Sequence, residues 1–218
     1  FVRDWAIERD LPFFHARSQE GWLRTMMIRV ASTGEVLVLI QFKTELQAER
    51  EALLADLEAT FPEITTLQYV INEKQNDTIY DQEVITYSGP GFIEEAMPKY
   101  SGQGELRFKI GPKSFYQTNP LQAHELYKVA LDMADIQKDD LVFDLYTGTG
   151  TIALFMAEKA KEVVGIELVP EAIVDAKLNA ANNGIDNATF YDGDMKDVFN
   201  ADFIAKHGKP NVLVTDPP

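Results

Sequence analysis

The residues best placed to do chemistry are two glycines and an acid in the second half of the chain. Gly148 and Gly150 follow the apolar run 141–146, and Glu167 ends the next apolar run, 163–167, seventeen residues after Gly150. Glycines let the backbone approach a ligand closely, and a carboxylate at the end of the second strand can accept hydrogen bonds from both hydroxyls of a ribose. This spacing predicts a strand–helix–strand unit that binds a nucleoside-containing cofactor.

Two further acids follow the next two apolar runs. Asp194 comes after run 188–192, where a carboxylate can accept from the exocyclic amine of adenine or can cap the next helix. Asp216 precedes two prolines at the carboxyl end of run 211–215, the ligand side of a parallel sheet. The glycine segment also fits the nicotinamide fingerprint G-x-G-x-x-A, but Asp-Pro-Pro at this point favours S-adenosylmethionine.

The elements that must position these residues alternate between strand and helix. Asn119 and Pro120 are typical of a helix start, because Asn caps free N–H groups and Pro suits the first helical position. The second half then predicts strands at 141–146, 163–167, 188–192 and 211–215, with helices at 151–160, 170–183 and 196–206 between them. This order predicts a doubly wound parallel sheet with strand 141–146 in its interior.

In such a sheet the strand at 211–215 is an interior strand, with further strands beside it. The chain ends just after it, and it begins with Phe1 rather than Met. We therefore expect the chain to be a fragment of a longer protein, with an incomplete sheet.

The first half of the chain has a different pattern of predicted strands and helices. It predicts a small α+β domain with an antiparallel sheet, whose strands are 23–30, 35–42, 64–72, 83–87, 92–96 and 105–110 and whose helix is 45–60. We place the boundary near 108–113. The predicted division is an α+β domain at 1–110 and the first part of a Rossmann-like α/β domain at 111–218.

Composition limits the function classes. Hydrophobic residues make up 45 % of the 218 residues, which is enough for a packed core, and the net charge of −15 argues against broad binding to phosphate backbones. There are no cysteines, which excludes disulfides, cysteine-ligated metals and a cysteine nucleophile within these residues. No apolar run approaches about 18 residues. We expect a cytoplasmic protein without a metal site.

Several stretches resemble one enzyme family, the RNA uridine-5-methyltransferases, which methylate C5 of a uridine in transfer or ribosomal RNA. The most specific is Ser114-Phe-Tyr-Gln-Thr-Asn119, because methyltransferases in general lack it. The other matching stretches are 144–151, Gly165-Ile-Glu167, 179–184, Asp192-Gly-Asp194 and Asp216-Pro-Pro218. The resemblance covers most of the chain.

The resemblance implies a Rossmann-like methyltransferase domain and assigns roles to single residues. The residues expected to contact S-adenosylmethionine are Gln117, Tyr146, Gly148, Gly150, Thr151, Glu167, Asp194 and Asp216. Gln117 and Asp216 are also expected to contact the uracil of the RNA, which we expect to be ribosomal in preference to transfer RNA. The protein is expected to be a monomer.

The family attacks uracil C6 with a cysteine and then removes the C5 proton with a base. Both groups are expected beyond Pro218, so this chain alone is predicted to be inactive. Two other functions remain open from the sequence: a nicotinamide-dependent oxidoreductase, and a non-catalytic RNA-binding module that has kept the fold without the chemistry.

Overall fold

The computed structural model describes residues 1–217, which divide into two units. The first unit comprises Phe1–Glu94 with Gly111–Lys113, and the second comprises Glu95–Ile110 and the chain from Ser114 onwards. No helix among the described residues is long and apolar enough to span a bilayer.

The first unit is built on a four-stranded sheet in the order β1-β2-β3-β4. Its elements are α1 (Val2–Ile7), β1 (Leu23–Val30), β2 (Val36–Phe42), α2 (Gln47–Thr60), β3 (Ile64–Ile71) and β4 (Ile85–Ser88). Leu53, Leu54 and Leu57 of α2 are buried in the core of this unit together with Trp22 and Phe42. These leucines lie at helical spacing, so they form the buried face of the predicted helix.

The sheet of the first unit is mixed, so the prediction of an antiparallel sheet was wrong. β1 and β2 pair antiparallel, β2 and β3 pair parallel, and β3 and β4 pair antiparallel. The cause is the fourteen-residue helix α2, which carries the chain from one end of β2 back to the other. A helical crossover of this kind joins parallel strands.

The second unit contains a two-stranded sheet and a four-stranded sheet. Its elements are β5 (Ile93–Pro98, whose first two residues belong to the first unit), β6 (Glu105–Ile110), α3 (Pro120–Ala134), β7 (Leu141–Leu145), α4 (Thr151–Met156), β8 (Glu162–Glu167), α5 (Pro170–Asn182), β9 (Ala188–Asp192), α6 (Met195–Val198), α7 (Ala201–His207) and β10 (Val212–Thr215). β5 pairs with β6, and the larger sheet has the order β10-β7-β8-β9. All its pairs are parallel. The predicted interior position of β7 is confirmed.

β7 is buried along its whole length, as its apolar sequence predicts for a strand covered on both faces. The Phe143 ring packs at 5.6 Å from the Phe203 ring of α7. Because side chains alternate along a strand, Asp144 points to the other face, where the backbone of Ala153 in α4 reaches it. The sheet is therefore covered by helices on both faces around β7.

Two local details refine the predicted helices. Asn119 accepts a hydrogen bond from the backbone N–H of Gln122 at 3.1 Å and Pro120 begins α3, so the predicted helix start is confirmed. The single helix predicted at 196–206 is instead two helices. Asn200 breaks it, because its extended backbone and its side chain cap α7 through the N–H of Phe203.

The division of the chain differs from the predicted division at 110/111. The β5–β6 hairpin was assigned to the first domain, but most of it belongs to the second unit. The reason is a set of hydrogen bonds between β6 and two side chains, those of Asn179 in α5 and of Asn183 immediately after it. These partners lie about 70 residues further along the chain, where no local sequence pattern reveals them.

Candidate cofactor site

The site is built around the segment 146–150, which we call the glycine loop. It leaves β7 with three residues at positive φ, which are Tyr146 at 68°, Gly148 at 55° and Gly150 at 83°. The N–H groups of Tyr146 and Thr147 both donate to the carbonyl of Ile166 at 3.0 Å, which holds the loop against the end of β8. The loop then turns directly into α4, whose first residue is Thr151.

The two glycines serve different purposes. A Cβ at Gly148 would meet no atom within 4 Å, so this part of the backbone faces open space. A Cβ at Gly150 would lie 3.1 Å from the Cβ of Ala176, so this glycine allows α5 to pack closely against the loop. Gly148 thus leaves backbone accessible to a ligand, and Gly150 permits tight packing beneath it.

Glu167 lies at the end of β8, beside the glycine loop. One carboxylate oxygen accepts from the N–H of Gly148 at 3.0 Å, and the other accepts from the N–H of Val169 at 3.0 Å. These two bonds fix the plane of the carboxylate, and each oxygen keeps a lone pair for a further donor. The structure therefore brings Gly148 and Glu167 together as the sequence predicted.

Asp144 lies beneath the glycine loop and was not identified from the sequence. It is buried, and its carboxylate accepts from the Thr147 hydroxyl at 2.7 Å. Burial raises the pKa of Asp144 to about 7, and the carboxylates of Asp216 and Glu167 add to this, whereas Thr147 and the Ala153 backbone oppose it. The available signal was an acid inside an otherwise apolar strand.

Tyr127 of α3 is a second residue of this region that was not identified from the sequence. Its side chain is buried, and its hydroxyl interacts with the side chains of Thr151 and Gln117. Burial raises the pKa of Tyr127, and the carboxylates of Asp216 and Asp144 raise it further. Tyr127 thus connects two predicted cofactor contacts, Gln117 and Thr151, and lies within electrostatic reach of a third, Asp216.

The remaining predicted residues are Asp194, Tyr146 and Asp216. Asp194 accepts from the N–H of Lys196 at 2.9 Å and so caps α6, which is the structural alternative foreseen for it. The preceding Gly193 donates its N–H to the carbonyl of Glu167 at 2.9 Å, which holds the end of β9 next to β8. Tyr146 and Asp216 are exposed, and Pro218 of the Asp-Pro-Pro motif lies outside the described residues.

The residues fit an adenosyl cofactor. An oriented carboxylate at the end of β8 can accept from ribose hydroxyls, and the open backbone at Gly148 permits close approach. Among residues 1–217, no three His, Asp or Glu side chains form a cluster able to hold a metal ion. The arrangement can thus bind and orient a nucleoside-linked group by hydrogen bonds and backbone contact.

Comparisons with known proteins agree with this fold. Residues 136–215 match a family model described as a methyltransferase domain. An uncharacterized RNA methyltransferase of Porphyromonas gingivalis is 54 % identical over the whole of this chain, and one of Bacteroides thetaiotaomicron is 52 % identical. The chain spans 46 % and 47 % of these two proteins, so it corresponds to about half the length of the curated relatives that it matches.

A solved structure shares the fold. The tRNA (uracil-54, C5)-methyltransferase of Pyrococcus abyssi, in complex with S-adenosyl-L-homocysteine, superposes with a TM-score of 0.69 at 23 % identity. The match covers 88 % of this chain and 45 % of that one. The predicted Rossmann-like methyltransferase fold is confirmed. The methyltransferase-domain match also supports S-adenosylmethionine as the cofactor.

Proposed function

We propose that the full-length protein containing this chain transfers a methyl group from S-adenosylmethionine to C5 of a uridine in RNA. The observation that carries the proposal is the pairing of Glu167 with Gly148 at the carboxyl ends of two adjacent parallel strands. Relatives named as RNA methyltransferases support the RNA substrate, and the sequence motif 114–119 supports the uridine C5 specificity.

The eight predicted residues take separate parts in cofactor binding. Glu167 accepts from the ribose hydroxyls, while Gly148 and Gly150 give the cofactor access to backbone. Asp194 accepts from the adenine amine with the lone pairs that its helix cap leaves free. Gln117, Tyr146, Thr151 and Asp216 surround the rest of the cofactor, with Gln117 and Thr151 held together through Tyr127.

The cofactor supplies an electrophilic methyl group. Gln117 and Asp216 orient the uracil beside it, since an amide offers a donor and an acceptor and a carboxylate accepts from a ring N–H. Uracil C5 is a poor nucleophile until a thiolate adds to C6; after methylation a base removes the C5 proton and the thiolate leaves. The 218 residues contain no cysteine, so we assign the thiolate and the base to the rest of the full-length protein.

The test is a transfer assay with the full-length protein. It is incubated with S-adenosylmethionine carrying a labelled methyl group and with unmodified ribosomal or transfer RNA, and the digested nucleosides are separated. We expect the label in 5-methyluridine, with ribosomal RNA the better substrate. Label found only in another nucleoside would remove the uridine C5 assignment while leaving the methyltransferase assignment in place.

Two other functions are distinguished by binding experiments. A nicotinamide-dependent oxidoreductase would bind NADH in preference to adenosylhomocysteine, and we expect the opposite order. A non-catalytic RNA-binding module would bind RNA with no transfer of label under any of these conditions. The methyltransferase-domain match over 136–215 favours the transferase over both.

A further inference from the structure

α5 and the residue that follows it carry three polar side chains on one side, at four-residue spacing. They are Asp175, Asn179 and Asn183, and residues four apart lie on the same face of a helix. Asn183 accepts from the N–H of Arg107 at 2.8 Å, and Asn179 accepts from the N–H of Lys109 at 2.9 Å. Asp175 accepts from the hydroxyl of Ser114 at 2.8 Å. One side of the helix therefore holds both β6 and Ser114.

α5 can pair with β6 at two successive positions because four residues of a helix span nearly the same length as two residues of a strand. Two residues of a strand rise by about 6.7 Å, and four residues of a helix rise by about 6 Å. Running in opposite directions, β6 and α5 stay in register from Arg107 with Asn183 to Lys109 with Asn179. Asn183 also donates to the carbonyl of Arg107 at 2.7 Å, so it pairs with the strand edge as a neighbouring strand would.

Asn179, unlike Asn183, also forms a hydrogen bond with the glycine loop. It is fully buried, and its side-chain N–H₂ donates to the carbonyl of Thr149 in the glycine loop at 3.1 Å. Its oxygen is meanwhile used by the N–H of Lys109. A single amide thus joins β6 to the glycine loop, and it needs both a donor and an acceptor to do so.

We infer that Asn179 is a positioning residue of the proposed cofactor site, fixing the glycine loop relative to the segment that carries Gln117. That segment leaves β6 and is tied to the same helix through Ser114, three residues before Gln117. The inference rests on the proposed function, because it concerns the affinity of the site for the adenosyl cofactor. Asn179 acts through Thr149 and Lys109 without contacting the cofactor.

The decisive variant is Asn179→Asp. The new carboxylate still accepts from Lys109, but its second oxygen faces the carbonyl of Thr149 and repels it. We expect the affinity of the full-length protein for adenosylhomocysteine to fall about tenfold, the effect of losing one hydrogen bond and burying an unpaired acceptor. Lowering the pH protonates the introduced acid, which then donates to Thr149, so the affinity of the variant should rise toward that of the wild type as the pH falls.

Asn183→Ala is the matched control. It removes two hydrogen bonds to β6 and one to the backbone carbonyl of Asn179, but none to the glycine loop. We therefore expect its affinity for adenosylhomocysteine to stay within about twofold of the wild type. An equal loss of affinity in the two variants would mean that any weakening of the contact between α5 and β6 lowers binding, and it would overturn the inference. Unchanged affinity in Asn179→Asp would overturn it as well.

Hydrogen exchange of the wild type keeps the test valid if Asn179→Asp does not fold. Adenosylhomocysteine should slow exchange of the Lys109 N–H, which Asn179 links to the loop, more than exchange of the Arg107 N–H. Equal changes at the two amides would contradict the positioning role. A wild-type protein that does not bind adenosylhomocysteine would overturn the proposed cofactor site itself, which separates that failure from failure of the role of Asn179.

Discussion

The carboxylate of Glu167 accepts hydrogen bonds from two backbone N–H groups, and these bonds determine its orientation. The bonds from Gly148 and Val169 use one lone pair on each oxygen and hold the group in one orientation. A pair of ribose hydroxyls can then donate to the two remaining lone pairs without reorganising the protein. The residue is therefore oriented before any ligand binds.

Glu167→Ala should weaken binding of adenosylhomocysteine by about 1–3 kcal/mol, because both ribose hydroxyls lose their acceptor. Titration calorimetry measures the change. Glu171→Ala, which removes an exposed carboxylate in the first turn of α5, is the control and should leave the affinity unchanged. An unaltered affinity in Glu167→Ala would exclude Glu167 from the site.

Asp144 makes the stability of the fold depend on pH. Its pKa of about 7 in the folded state lies above its unfolded value, about 3.9, so the unfolded chain loses this proton first as the pH rises. The stabilisation is complete below about pH 4 and is lost as the pH rises through about 7. The free energy of unfolding of the wild type, measured relative to that of Asp144→Asn, should therefore fall by a few kcal/mol between about pH 4 and about pH 7.

Urea unfolding of Asp144→Asn and of the wild type at steps from pH 4.5 to pH 8.5 tests this expectation. Asparagine keeps an acceptor for the Thr147 hydroxyl and carries no charge at any of these values. A stability difference that stays constant over the whole range would contradict the raised pKa of Asp144.

Among the elements, those with a strong periodic pattern were predictable and those fixed by distant contacts were not. Two elements could be predicted from the local sequence alone: β7 from its apolar run, and α2 from its buried leucines. Burial of one or two faces determines the composition of such elements. The parallel pairing of β2 and β3 depended on recognising α2 as a crossover. The attachment of β6 to the second unit depended on Asn179 and Asn183, far along the chain.

The candidate site shows the same limit. The residues Gly148, Gly150 and Glu167 follow from spacing alone, because a strand–helix–strand unit places strand ends side by side. Asp144 and Tyr127 could not be assigned in this way, because an acid or a tyrosine at an inward position has no distinctive spacing. Their importance appears only when the partners Thr147, Thr151 and Gln117 are seen around them.

The start of α3 gives a test at the scale of an element. Asn119→Ala removes the acceptor for the Gln122 N–H and should lower the free energy of unfolding by about 1 kcal/mol. Thr118→Ala, at the adjacent exposed position, is the control and should change stability by less than about 0.5 kcal/mol. Equal midpoints of urea unfolding for the two variants would show that the cap contributes nothing.

At the scale of the whole molecule, the 218 residues contain the proposed cofactor site but not the nucleophile that the proposed uridine C5 chemistry requires. The sheet supplies the carboxylate and the glycine loop, and the composition supplies no thiol. Binding and transfer should therefore separate experimentally. Binding depends on groups that are present, and transfer depends on a group that is absent from these residues.

The 218-residue chain alone should bind adenosylhomocysteine but should not methylate RNA, whereas the full-length protein should do both. Direct transfer to C5 is slow because that carbon becomes nucleophilic only when C6 carries a covalent adduct, and a carboxylate such as Asp216 cannot replace a thiolate in forming one. The assay compares the two proteins with labelled S-adenosylmethionine and unmodified RNA. Titration calorimetry on the same 218-residue chain tests whether it binds adenosylhomocysteine. Binding would show that the chain is folded, so that a lack of methyl transfer could not come from misfolding. Label in 5-methyluridine produced by the purified short chain would refute the covalent cysteine mechanism proposed for this protein.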